Sequence, residues 1–237
     1  MNFGNNFKVL LVLIVIALVS PNISSADLWL CDNFDDDNYN GWSVIDRAGN
    51  PAEAPDVVSS PEGYSLRGVG SGYSQSPGLN VYLSQSFSVD GVGELEIEMR
   101  ARSGSQWPNS ATIFLESGND MYYVTVSGEG HNYAQFASAI GGVDELYPYS
   151  FGDVGNWHDY AWSRDADGWW SLSIDGSEVW HDFRQDNRLT SFDTVGLHLL
   201  RNQSEIESVR ITPAPGAFLL AAIGLGFSGW LCKRGPS

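Results

Sequence analysis

The stretch Trp157-His158-Asp159-Tyr160-Ala161-Trp162-Ser163-Arg164-Asp165-Ala166-Asp167-Gly168-Trp169-Trp170-Ser171-Leu172-Ser173-Ile174-Asp175-Gly176-Ser177-Glu178-Val179-Trp180 decides the fold class. Large apolar side chains alternate with small or polar ones over 157–164 and again over 169–175, the period of a half-buried strand. Asp165-Ala166-Asp167-Gly168 between them carries turn chemistry. Asp175-Gly176 is a two-residue hairpin signal. A third strand follows over 177–183. Trp157, Trp162 and Trp170 are expected in the core.

The same signature repeats on both sides. Strands are predicted near 28–34, 41–46, 63–69, 80–88, 93–102, 110–117, 121–127, 132–139, 143–148, 193–201 and 204–212, with a further turn at Ser117-Gly118-Asn119-Asp120. No convincing helix lies between 27 and 212. Many short strands bounded by Gly, Asn, Asp, Ser and Pro make an all-β sandwich or barrel. The chain has 43% hydrophobic residues, too many for an intrinsically disordered protein. Its two cysteines are too few for a disulfide scaffold. With 12 basic against 29 acidic residues the net charge is -17, which excludes nucleic acid as a partner because phosphates need clustered Lys and Arg.

The two ends read as addressing segments. Residues 1–26 resemble a secretory signal peptide, with Lys8, an apolar helix over 9–19, the breakers Ser20-Pro21-Asn22 and small residues Ser24-Ser25-Ala26. Cleavage is expected after Ala26. The alternative, an uncleaved anchor, needs about 20 apolar residues, more than this run supplies. At the other end, Pro213-Ala214-Pro215-Gly216 precedes an apolar transmembrane helix over 217–232 and then Lys233-Arg234. The cations belong on the cytoplasmic side. This tripartite tail, 213–237, resembles the PEP-CTERM sorting signal of Gram-negative bacteria with exopolysaccharide-rich surfaces; Ala214 stands where that signal usually has Glu. The resemblance implies an exosortase as processing partner, the inner membrane as a temporary anchor, and the cell surface or extracellular matrix as destination. A plain single-pass anchor is the alternative.

Without its ends the domain, 27–212, is more acidic than the chain. Lys8, Lys233 and Arg234 lie outside it and every acid inside, so 12 − 3 = 9 basic residues face 29 acids, a net of -20. All nine are Arg. This field favours neutral over acidic glycans. Cys31, inside the apolar run from Leu28 to Phe34, is expected to be a buried thiol.

The block 157–180 resembles the signature of concanavalin A-like lectin/glucanase (laminin-G-like) jelly rolls. The opening Asp32-Asn33-Phe34-Asp35-Asp36-Asp37 with Gly41-Trp42-Ser43-Val44, and the closing Ile206-Glu207-Ser208-Val209-Arg210-Ile211, resemble the first and last strands of the same family. The resemblance implies a jelly-roll sandwich across the whole domain. It leaves function open, since that fold hosts lectins, hydrolases and adhesion modules.

Three constellations are candidate sites. Glu94-Leu95-Glu96-Ile97-Glu98 puts three carboxylates on one face of a strand, similar to the Glu-x-Asp-x-Glu strand of retaining glycosidases on this fold. Read structurally, Leu95, Ile97 and Met99 face the core and the glutamates face solvent, and this reading is preferred. Asp35 with Glu207 is the expected pair for one structural Ca2+, which jelly rolls of this type hold between first and last strands. For a glycan, Trp107 in a polar loop and Tyr123 and Trp180, outward by alternation, are the candidate platforms. The expected function is an exported, non-enzymatic carbohydrate-binding surface or matrix protein. The alternatives are a purely structural or adhesive envelope protein, and a glycoside hydrolase using Glu94 and Glu98.

Overall fold

A computed structural model of the chain describes residues 30–46, 55–68, 81–104, 109–128, 132–200 and 203–213. Ala26, Trp107, Ala214, Pro215, Lys233, Arg234 and both predicted terminal helices lie outside the described residues.

Fifteen strands form in chain order: β1 Leu30–Asp32, β2 Ser43–Asp46, β3 Asp56–Ser60, β4 Gly63–Arg67, β5 Val81–Val89, β6 Leu95–Ser103, β7 Ser110–Ser117, β8 Asp120–Ser127, β9 Tyr133–Ile140, β10 Val143–Ser150, β11 His158–Arg164, β12 Trp169–Ile174, β13 Ser177–Gln185, β14 Phe192–Leu200 and β15 Ser204–Thr212. Only β3 was not expected from the sequence. Its Asp56-Val57-Val58-Ser59-Ser60 lies between Pro55 and Pro61, offers two apolar residues, and is accepted as an edge strand on β4.

The strands make two antiparallel sheets. The front sheet runs β10-β9-β8-β7-β14-β5-β2. The back sheet runs β13-β12-β11-β6-β15-β4-β3, with β1 also on β15. Neighbours in sequence are often hairpin partners. Asp175-Gly176 and Gly141-Gly142 both have positive φ at both central positions, the type I′ geometry whose twist matches that of the flanking strands.

Alternation sets the core. Along β6 every second residue, Leu95, Ile97, Met99 and Ala101, is buried. Opposite it the front sheet supplies Ile113, Leu115, Tyr122, Val124, Phe136, Val195 and Leu197. Trp162 and Trp170 are fully buried as expected. Trp157 is not; it precedes β11, half-buried, with the Arg102 guanidinium 5.1 Å from its ring centre. Cys31 also departs from expectation. Its strand is three residues long, Leu30 takes an inward position, and the thiol is exposed on the outer face of the back sheet beside Arg210, its partner on β15.

One buried cation ties the sandwich end together. Arg164, 1% exposed, donates Nη2 to Val92 O at 2.8 Å, Nη1 to Leu189 O at 2.7 Å and Nε to Gly93 O at 3.2 Å. Three backbone carbonyls thus replace water around a guanidinium. Beside it Asp186 accepts from Tyr122 Oη at 2.7 Å and from Arg188. The two sheet edges β10 and β13 are clasped by Glu145, which accepts from Arg184 at 2.7 Å and Arg188 at 2.6 Å, and by the ring contacts Tyr149–Trp180 and Tyr147–Phe183.

Candidate functional site

The outer face of the front sheet is the part of the molecule that packing of the sandwich core does not explain. Strand register lays its side chains in rows across the strands. One row is Leu146 on β10, Ala137 on β9, Tyr123 on β8, Phe114 on β7 and Gly196 on β14. The Phe114 ring lies over Gly196, and the small Ala137 separates Tyr123 from Leu146. A Cβ on Gly196 would overlap the Phe114 ring, which explains a glycine in mid-strand.

A second row is Pro148, Gln135, Thr125, Thr112 and His198 on the same five strands. Thr112 and Thr125 share a hydrogen bond of 2.9 Å. Burial pushes His198 down to about 4, so the imidazole is neutral at pH 7 and can both donate and accept. On the other side of the aromatic row lie Asp144, Ala139, Met121, Glu116 and Thr194. Tyr123 is half-buried; burial, then the negative charge of Asp144 and the neighbouring Tyr133, push its hydroxyl up to about 12. Toward β10 the face opens: Leu146 is 55% exposed.

An aromatic row between two hydrogen-bonding rows can hold a ligand with apolar ring faces and hydroxylated edges. Phe114 and Ala137 are fully buried and Thr112, Thr125 and Gln135 nearly so, so the open part of this face is its β8–β10 end, around Tyr123 and Leu146. No Lys or Arg stands in these three rows, so nothing there recognises an anion.

The other expected sites fall elsewhere. Trp180 pairs with Leu172 and turns inward, not outward, because the β12–β13 register shifts next to it; it stacks on Phe183 with centroids 4.2 Å apart. It therefore does not share a face with Tyr123. Glu96 and Glu98 stand on the outer face of the back sheet, as the structural reading of that strand expects, with Glu94 just before β6. Burial and Glu98 raise Glu96 against the pull of Arg210, while Glu98 pairs with Arg210 at 3.2 Å. These carboxylates face away from the aromatic row.

Asp35 and Glu207 both lie against the β3–β4 turn, Asp35 beside Gly63. Glu207 is already committed: it accepts from Ser60, from Glu62 N at 3.1 Å and from Arg100 at 2.5 Å. Among the described residues no group of three or more His, Cys, Asp and Glu side chains could hold a metal ion. The pair does not fit a calcium site as placed. Thr112, Thr125, Gln135 and His198 were missed in the sequence. Their signal was the polar half of the alternation in 110–117, 121–127, 132–139 and 193–201.

No protein-family model matches the chain, and no curated relative matches it. Solved structures do. The Trypanosoma cruzi calreticulin globular domain is similar at TM-score 0.56 and 12% identity, covering 85% of this chain and 94% of that one. A family 16 glycoside hydrolase, an endo-glucanase from Bacteroides ovatus, is similar at TM-score 0.53 and 12% identity, covering 77% and 99%. A carbohydrate-binding module from Bacillus subtilis reaches TM-score 0.49 at 13% identity, covering 74% and 97%. Two antiparallel sheets with these neighbours make the fold a concanavalin A-like jelly roll.

Proposed function

We propose that this protein is an exported surface or matrix component that binds a neutral glycan without hydrolysing it, along the aromatic row of the front sheet. The observation that carries the reading is the open end of that row: Tyr123 and Leu146 on either side of the small Ala137, with no cation in the three rows. The signal-like leader and the PEP-CTERM-like tail support export and exosortase sorting to the cell surface. Non-enzymatic binding is favoured because Glu94, Glu96 and Glu98 lie on the opposite sheet from the row.

A panel of neutral and acidic polysaccharides on a glycan array tests it. Saturable binding to a neutral glycan is expected, weakened about tenfold by Tyr123→Ala, which removes one stacking ring. The polymer should show no new reducing ends after prolonged incubation. Binding unaffected by Tyr123→Ala, or release of reducing ends abolished by Glu98→Gln, would overturn the proposal.

A further inference from the structure

A second recess lies on the outer face of the back sheet, where no candidate platform was expected. It is a groove of about 430 Å³. Small side chains leave room in it: Ala161 and Ser173 pair across β11 and β12, Gly176 follows β12, and Ser208 stands on β15 on the far side of β6. Two ion pairs of opposite sense wall it: Arg210–Glu98 at 3.2 Å across β15 and β6, and Arg100–Asp159 at 3.1 Å across β6 and β11.

The charge at this groove differs from that of the rest of the molecule. The chain carries -17, yet the charged lining is two Arg and two acids, summing to zero. Glu96 near Arg210, and Glu62 and Glu207 on Arg100, add carboxylates around that lining, so an anion is held here by direct pairing with a guanidinium and not by the field. The two arginines are not equivalent. Arg100 is spent, with Nε on Glu207, Nη1 on Asp159 and Nη2 on Glu62. Arg210 is 53% exposed and gives only Nη1, to Glu98, among the described residues. Its Nε and Nη2 are left to pair with an oxyanion, and a guanidinium fork matches a carboxylate.

The remaining lining completes a ligand description. Glu98 and Asp159 accept hydrogen bonds from hydroxyls. Ser173 and Ser208 donate and accept. The one aromatic side chain among its described lining residues, Tyr160, is buried, so no flat stacking surface is offered. We infer that this groove binds a small polyhydroxylated carboxylate, a uronic acid residue being the natural case, with its carboxylate on Arg210 and its hydroxyls on Glu98, Asp159, Ser173 and Ser208. This site is separate from the front-sheet row and does not depend on it.

Titration calorimetry of the protein with sodium glucuronate and sodium galacturonate tests the inference, with glucose as the uncharged control. The expected result is saturable binding of at least one uronate, none of glucose, and at least tenfold weakening by Arg210→Ala and by Ser173→Trp, which fills the floor. Thermal melts of both variants establish that they fold; Arg210 is half-exposed and its loss should leave the melt near that of the parent. An oligouronate arm separates sources: tighter binding than the monomer assigns the groove to a polymer end or chain, equal binding to a free acid. Absence of saturable binding for both uronates, or binding retained in folded Arg210→Ala, would refute the site.

Discussion

Replacing Arg164 with Met keeps most of the side-chain volume and removes every donor. Three backbone carbonyls, of Val92, Gly93 and Leu189, then lose their partner at a site where Arg164 is 1% exposed. A buried carbonyl left unpaired costs about 1–3 kcal/mol. Taking the low end for all three, as the net once the variant is credited with relief from burying a cation, the loss comes to about 3 kcal/mol. The lost ring contacts to Tyr122 and Trp170, at 5.8 and 5.7 Å, add little at such distances. For a domain of this size about 3 kcal/mol lowers Tm by about 10 °C. Urea denaturation followed by tryptophan fluorescence reads it, with an unchanged m-value showing that the folded state is the one affected. Arg164→Lys should recover only part, because one ammonium cannot span three carbonyls spread as a fork. A loss below about 1 kcal/mol in Arg164→Met would mean that these carbonyls find other partners, and the reasoning would fail.

Other outcomes follow from the same contacts. Gly196→Ala should destabilise by about 1–3 kcal/mol in thermal melts, since the new methyl overlaps the Phe114 ring, and the double variant with Phe114→Leu should cost less than the sum. His198 sits near 4 in the folded state against an ordinary 6.5, so the unfolded chain binds more protons between those values. Stability should therefore rise from pH 4 to 6.5, and His198→Gln should flatten that slope. Burial alone would raise Asp186, but Arg188 and Tyr122 outweigh it and hold it below its ordinary 3.8. Its stabilisation is present above that value and lost as pH falls below it, and Asp186→Asn should lower Tm at pH 7 while sparing the acid end. Cys31 should react with a maleimide in native buffer, mapped by peptide mass spectrometry; labelling only after denaturation would contradict its exposure.

The fold was legible because strands declare themselves locally. Val, Ile, Tyr, Phe and Trp at every second position mark a pleated face, and Asp175-Gly176 fixes a hairpin whatever lies around it. What failed was whatever depends on neighbours in space. β3 exists because β4 accepts it, and its own Val57-Val58 pair was too short a signal. Trp180 obeys alternation in sequence, but the shifted register beside it turns the ring inward. Cys31 sits among apolar residues and still faces out, because alternation along β1 gives the inward places to Leu30 and Asp32.

The candidate site was less legible than the fold. Tyr123 was expected outward, and register places it on the outer face of the front sheet. Thr112, Thr125, Gln135 and His198 come from four strands, and only the register of β7, β8, β9 and β14 makes them a row. The Glu207 carboxylate was expected to meet a cation and meets the Arg100 guanidinium instead, a partner 107 residues away in sequence.

Backbone chemical-shift mapping with the neutral glycan that binds tests the central claim most directly. The account predicts that shifts concentrate on β8 to β10, around Tyr123 and Leu146, while β6, β11 and β12 of the back sheet stay unmoved. Shifts centred on the back sheet, or at the β10–β13 edge around Trp180, would contradict it.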